Sequence, residues 1–304
     1  MRVGVTGSSG LIGSALVRAL RDRGDDVITF VRPGSPASGP SSIRWDPARE
    51  SIDADDLARV GGFDAVVHLA GAGVADRRWT ESRRREIRDS RVRSTALLVG
   101  ALRDLPAGVR VLASGSAIGV YGSRADEVLR EDSPLGHDFL ADVCRDWEAE
   151  AVRLEMTGSR VALLRTGIVL SSAGGALRRQ LPLFRLGLGG RLGTGRQWMS
   201  PISLVDEVRA IIWTIDGDLR GPLNLTGPQP LTNGEFTRAL ATRVHRPAPF
   251  AVPAVALGLA LGRDVAEGVV LASQRVVPTR LVESGFTFQH ATADAMIASA
   301  LVRT

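Results

Sequence analysis

The sequence predicts a doubly wound α/β fold, a parallel sheet covered by helices on both faces, with a smaller lobe at the C-terminal end. Three observations lead there. Strand-like and helix-like segments alternate through the first 170 residues. Residues 64–70 form a near-continuous apolar run, which suits a strand buried on both faces. A glycine-rich turn joins the first strand to the first helix.

The elements follow in order. Residues 2–6 read as a short apolar strand. In residues 11–23, Ile12, Ala15, Leu16, Ala19 and Leu20 recur at helical spacing, and Gly24 ends the helix. Residues 27–31 predict a second strand, and 32–42, rich in Pro, Gly and Ser, a loop. A short strand is expected at 43–46 and a brief helix at 55–60. Beyond the apolar strand, residues 80–105 predict a long helix with Thr80 as its cap. A strand at 109–114, a helix at 139–157 and a strand at 161–164 continue the alternation. After residue 170 the rhythm changes. Residues 171–195 hold loops with one helix, 204–215 a helix and 223–225 a strand. Thr232 and Glu235 have capping-box spacing at the head of a helix over 232–244. From Pro247 onward short helices are expected.

Composition narrows the chemistry. The 304 residues include 38 basic side chains, and every one is arginine. Without lysine there is no Schiff base, no P-loop lysine and no lysine base. A single cysteine, Cys144, excludes an intrachain disulfide and any multi-cysteine zinc site, and no metal site is expected. The net charge of +5 is modest for this length. The arginines of residues 77–93 are interleaved with Glu81, Glu86 and Asp89, so they read as a solvated helix face and not as a nucleic-acid surface. No apolar stretch is long enough to span a bilayer, and the start of the chain reads as a strand, not a signal peptide. A cytoplasmic protein is expected, as a monomer or homodimer.

The motif Thr6-Gly7-Ser8-Ser9-Gly10-Leu11-Ile12-Gly13 lies at the first strand–helix junction. Gly7 permits the tight turn, Gly10 a close approach of backbone to pyrophosphate, and Gly13 close helix packing. The helix start, through Ser9, Leu11 and Ile12, offers N–H groups to phosphate. The second strand ends at Val31-Arg32 without the carboxylate that would meet a ribose 2′-hydroxyl. Arg32 suits a 2′-phosphate, so NADP(H) is expected over NAD; a solvated loop arginine is the alternative. His68-Leu69-Ala70-Gly71 supplies a second small-residue turn, where Leu69, Ala70 and Gly71 would face the cofactor. His68 itself reads as a core residue.

These residues resemble the extended short-chain dehydrogenase/reductase superfamily, a Rossmann-fold group. The likeness continues through Ser114–Gly122, Leu164-Arg165-Thr166-Gly167 and Gly221-Pro222-Leu223-Asn224. More narrowly, Arg78-Trp79-Thr80, Ser90-Arg91, Cys144-Arg145-Asp146-Trp147-Glu148 and Gly195-Arg196-Gln197 are similar to an uncharacterised epimerase-like family, and the Ser90-Arg91 match implies that Arg91, unlike the rest of the arginine-rich helix face, turns inward. Members carry a C-terminal domain of unknown function and are sometimes labelled cell-division inhibitors. The resemblance implies a cofactor-binding part over residues 1–170, to which 204–225 returns. It implies a substrate-side lobe over 171–304, including a helical domain over 247–304. It adds Ser114, Arg165 and Thr166 to the cofactor site.

The same resemblance exposes a gap. Hydride-transferring members use Ser or Thr, Tyr and Lys, with Tyr and Lys four residues apart on one helix. Phe139 and Val143 hold those two places here. Ser116 takes the serine place, as a substrate contact or a local backbone partner. Tyr121 offers a pocket role or a substitute acid. Cys144 reads as packing and Glu148 as structural. Asp206 opens a helix, where capping is the simple account. Arg196, Gln197 and Trp198 follow a glycine-rich loop that could close over an anionic substrate. Where relatives read Trp-Ile-His, this chain has Pro201-Ile202-Ser203. Two functions stay open: an NADP-dependent epimerase or oxidoreductase acting on an unknown small molecule by a nonstandard proton route, or a non-catalytic NADP(H)-binding sensor or scaffold.

Overall fold

The computed structural model describes residues 1–35 and 41–302. The centre of the expected 32–42 loop, residues 36–40, lies outside the described residues.

Strand β1 (Arg2–Thr6) leads through the glycine turn into α1 (Leu11–Asp22), then β2 (Asp26–Val31), β3 (Ser42–Asp46) and the short β4 (Ser51–Ile52). Helix α2 (Ala54–Val60) precedes β5 (Phe63–His68), and the long α3 (Glu81–Arg103) precedes β6 (Val109–Ala117). After β7 (Val128–Leu129) come α4 (Phe139–Val152), β8 (Arg160–Thr166), β9 (Ile168–Leu170) and α5 (Gly175–Arg185). The next stretch carries β10 (Gly190–Leu192), β11 (Trp198–Met199), β12 (Pro201–Ser203) and α6 (Leu204–Asp216). Then follow β13 (Gly221–Leu225), β14 (Leu231–Thr232), α7 (Asn233–Arg243) and β15 (Phe250–Val252). Helices α8 (Ala254–Leu261) and α9 (Arg263–Val265), strand β16 (Arg275–Val276) and helices α10 (Thr279–Glu283) and α11 (Ala293–Leu301) complete the chain.

Eight strands form the main sheet in the order β13-β8-β6-β5-β1-β2-β3-β4. All neighbours in it are parallel except the β3–β4 edge pair. The chain leaves β1 toward β2 on one side and returns to β5 on the other. That reversal opens a crevice beyond the carboxyl ends of β1 and β5, the place where such sheets hold ligands.

Each face of the sheet is covered by its own core. On one, Val3, Val5, Ala65, Val111 and Leu164 pack against Leu16 and Leu20 of α1 and Ala210, Ile211 and Ile215 of α6. On the other, Ile28, Val66, Leu112 and Val161 meet Leu98 and Leu102 of α3 and Ala151 of α4. A third cluster joins Leu177, Leu181 and Phe184 of α5 to Phe236 and Leu240 of α7 and Met296 and Ile297 of α11. Residues 221–225 return to the main sheet beside β8.

Helix starts follow local chemistry. Thr80 caps α3, Asp138 caps α4, and Thr232 with Glu235 closes a reciprocal capping box on α7. The expected helix over 139–157 stops as an α-helix at Val152 and tightens into a 3₁₀ turn, Arg153–Thr157. Among the described residues no helix is long and apolar enough to cross a membrane, and no cluster of His, Cys, Asp or Glu could hold a metal ion.

Candidate functional site

The glycine turn is shaped from inside the protein. Gly7 has φ of +66°, and a Cβ there would lie 2.8 Å from the Leu69 carbonyl carbon and oxygen. A Cβ on Gly13 would approach the Gly7 carbonyl oxygen to 2.2 Å, so the first turn of α1 lies directly on the loop. Gly10 precedes α1 with no side-chain cap, and the first turn carries no acidic residue. The helix therefore presents unsatisfied N–H groups and the positive end of its dipole toward the β1–β5 crevice. Ser9 is exposed at the same end, and Arg32 is exposed directly after β2.

The second turn is locked from beneath. His68 is fully buried between Thr6 (Nδ1 to Oγ1, 2.7 Å) and Thr95 (Nε2 to Oγ1, 2.9 Å). Thr95 donates its own proton to the Arg91 carbonyl, so Nε2 of His68 carries the hydrogen and Nδ1 accepts from Thr6. Burial pushes the His68 pKa down to about 3, and the ring stays neutral. Thr6 Oγ1 also accepts from the backbone N–H groups of Leu69 and Ala70, at 3.1 and 3.2 Å. Those two N–H groups are engaged inside the protein. The side where a Cβ on Gly71 would stand is covered by the Arg91 guanidinium, 3.2 Å away at its central carbon.

A buried polar network occupies the place where the sequence led us to expect catalytic groups. Arg165 binds Glu148 in bidentate fashion, Nε to Oε1 and Nη2 to Oε2, both at 2.9 Å. Ser116 donates to Glu148 Oε1 at 2.6 Å. Arg165 Nη1 donates to the Tyr121 hydroxyl (3.0 Å) and the Glu131 carbonyl (3.1 Å), and Tyr121 donates to Asn224 Oδ1 (2.7 Å). Burial opposes the Arg165 charge, yet Glu148 holds its pKa above the ordinary value. Tyr121 has no exposed surface, and burial pushes its pKa up to about 12. Its hydroxyl is committed at both donor and acceptor, so it is not placed as a substitute acid. Arg165 is likewise a strut of the network, not a free cofactor ligand. Ser116 turns its proton to Glu148. Ser114 is fully buried, facing only the Gly115 carbonyl at 3.5 Å.

The Tyr and Lys places are apolar surroundings. Phe139 packs edge-on to Trp79 at 5.1 Å between centroids, with the Arg84 guanidinium over both rings. Val143 is 2% exposed. Cys144 is buried, and burial drives its thiol up to about 12, which suits packing and not nucleophilic attack.

The loop expected to close over a substrate, ahead of Arg196, Gln197 and Trp198, is tied down. Gln197 is buried, its side-chain amide donating to the Leu192 carbonyl at 3.0 Å. Trp198 lies in β11, paired with Thr232, under the Arg275 guanidinium at 4.2 Å. Arg196 is exposed, and its guanidinium has no partner among the described residues. Thr166 donates to Glu207 Oε1 at 2.8 Å. Asp206 is not the cap of α6, because Ser203 is. Asp206 instead accepts from the backbone N–H groups of Gln289 and His290, fastening the C-terminal segment to the helix.

Arginines of α3 pair across elements, Arg84 with Asp264 and Arg88 with Asp146. Residues that sequence reasoning passed over include Glu131 and Glu207, both buried, and Asn224, also buried, was read only as part of a matching segment. A signal for Glu207 existed, a carboxylate on the apolar face of a helix. None existed for Glu131.

Comparison with known proteins adds a family to this geometry. Residues 3–225 match the family model described as NAD dependent epimerase/dehydratase family, and residues 252–300 match a domain of unknown function, DUF1731. The epimerase family protein Mb2239 of Mycobacterium bovis is 47% identical over 291 residues, covering 95% of this chain and 94% of its own. The chloroplastic epimerase family protein SDR39U1 homolog of Arabidopsis thaliana is 37% identical over 95% of this chain and 84% of its own. Among solved structures, human epimerase family protein SDR39U1 (isoform 2) with NADPH superposes with a TM-score of 0.89 at 32% identity, over 99% of both chains. A glycine turn under an uncapped helix, a reversal between β1 and β5, and these matches along nearly the whole length agree: the chain belongs to the NAD dependent epimerase/dehydratase family.

Proposed function

We propose that this protein binds NADP(H) across the β1–β5 crevice and is an epimerase- or oxidoreductase-like protein acting on a small molecule. The observation that carries the reading is the start of α1, a helix N-terminus left uncapped above a loop that only glycine can build at 7 and 13. The residues fit the group. Ser9, Gly10, Leu11 and Ile12 would hold its pyrophosphate, and the exposed Arg32 would meet a 2′-phosphate. The SDR39U1 structure with NADPH supports the choice of NADP over NAD.

The bound group would supply hydride exchange. This chain's own residues orient and exclude water; they do not present a tyrosine to the reacting carbon. Phe139 and Trp79 make an apolar wall, the Ser116–Glu148–Arg165 network stiffens the floor, and Arg196 offers a free cation to an anionic substrate. The proton route therefore runs through water or a substrate group. In this reading residues 1–170, with 204–225, hold the cofactor, residues 171–304 shape the substrate side, and the protein works in the cytoplasm. Titration with NADPH and NADH, followed by nicotinamide fluorescence, tests it. NADPH is expected to bind at least about tenfold more tightly, and equal affinities would remove the role of Arg32.

One set of observations favours a second reading, a non-catalytic NADP(H) sensor: Phe139 and Val143 cannot exchange protons, and Tyr121 is sealed. Incubating bound NADP⁺ with a panel of alcohols and sugar nucleotides separates the two. Reduction of the cofactor by any of them supports the enzyme.

A further inference from the structure

Arg91 is a half-buried basic side chain of α3 that, like the buried Arg83, turns inward, and unlike Arg83 it meets no carboxylate. Its Nη1 donates to the carbonyls of Ala72 (3.0 Å) and Ile87 (3.1 Å). Its guanidinium lies over the Trp147 ring at 5.3 Å and against Gly71, where even a Cβ would stand 3.4 Å from Nη1 and Nη2. Among the described residues no carboxylate lies within ion-pair distance, and neither Nη2 nor Nε has a hydrogen-bond partner. Burial holds its pKa below the ordinary arginine value. Trp147, 94% buried, adds an indole N–H that also lacks an acceptor among the described residues. The unpaired guanidinium edge of this half-buried cation makes a place that a ligand oxygen would complete, whereas the Trp147 N–H is sealed inside the protein.

The position says which oxygen. Gly71 follows β5, and Trp147 packs its ring on Gly115 of β6. With the pyrophosphate over the β1 turn and the adenosine toward β2 and Arg32, the other half of a dinucleotide extends toward β5 and β6. Trp147 stands one helical turn beyond Val143 on α4, the place where the resemblance implies a lysine.

We propose that Arg91 supplies, from α3, the fixed positive charge missing at Val143, and that its free guanidinium edge hydrogen-bonds the ribose hydroxyls on the nicotinamide side. Gly71 is small to let that guanidinium reach the crevice floor, and the Trp147 face holds it flat. The inference rests on the NADP(H) reading above.

The test compares two probes by equilibrium binding: NADPH, and adenosine 2′-phosphate 5′-diphosphate, which keeps the pyrophosphate and lacks the second ribose. Arg91→Met is expected to weaken NADPH about tenfold or more and to leave the shorter probe unchanged. Adding Val143→Lys to Arg91→Met is expected to recover most of the NADPH affinity, which a merely structural arginine would not allow. Should Arg91→Met lose its cooperative melt, Arg91→Lys gives the same comparison with the charge kept and the planar fork removed. Equal loss for both probes, or no loss for either, overturns the proposal while NADPH binding by the unmodified protein keeps the cofactor reading standing. An unmodified protein that binds no NADPH overturns both.

Discussion

Replacing Glu207 with Gln should flatten the alkaline side of the stability profile. Glu207 lies in the first turn of α6 with no exposed surface. Its Oε1 accepts the Thr166 hydroxyl, and its Oε2 has no partner among the described residues. Burial raises its pKa from 4.5 to about 8. Between those values the folded state holds a proton that the unfolded chain has released, so stability falls as pH rises. At pH 6 the mismatch is worth about 1.5 pK units and at pH 8 about 3, a loss of about 2 kcal/mol across the interval at 1.4 kcal/mol per unit. Gln keeps the shape and the Thr166 acceptor but cannot ionise. Urea unfolding at pH 6, 7 and 8 should show the Glu207→Gln variant gaining about 2 kcal/mol on the parent between pH 6 and pH 8. Cys144 and Tyr121, both pushed up to about 12 when folded, ionise only in the unfolded chain above roughly pH 8.5, and both proteins share that slope. Contributions from His68 cancel in the difference. Parallel profiles for the two proteins would refute the reasoning.

Other outcomes follow from the same structure. Arg32→Ala should weaken NADPH about tenfold and leave NADH nearly untouched, read by fluorescence titration. Tyr121→Phe should cost about 1–3 kcal/mol in urea unfolding, because Asn224 Oδ1 and Arg165 Nη1 lose a buried partner, with NADPH affinity unchanged. Glu148→Gln leaves the Arg165 charge buried without its carboxylate and should destabilise by about 3–5 kcal/mol. Gly13→Ala drives a Cβ into the Gly7 carbonyl and should abolish dinucleotide binding in the same titration, before the melt is lost.

What the sequence disclosed tracks how local each feature is. Alternation, glycine spacing and the Thr232–Glu235 box act within a few residues, and the corresponding elements fall where the periods placed them. The two- and three-residue strands between β9 and β16 carry no period and went unread. The side-chain network was opaque for a different reason. Tyr121 is bonded to Asn224, 103 residues away, and Arg280 offers its N–H to Glu131, 149 residues away. No spacing rule announces such partners. Burial of Tyr121 converted a candidate acid into a structural hydroxyl, and Arg83, expected on a solvated face, lies buried against the Gly73 carbonyl and Glu86, whereas the inward turn of Arg91 was implied by the Ser90-Arg91 resemblance.

The wiring of that network bears on how the protein is made. Asn224 donates to the Val277 carbonyl, Glu131 accepts from the Arg280 N–H, Ser123 accepts from the Ser273 N–H, and β16 pairs with β7. A nascent chain that has emerged only as far as β13 can close the eight-stranded sheet, yet it holds Glu131 and Asn224 half satisfied. Synthesis must pass residue 280 before the floor of the crevice sets. The region matched by DUF1731 thus supplies the last hydrogen bonds to Glu131 and Asn224, and a chain halted ahead of it lacks them.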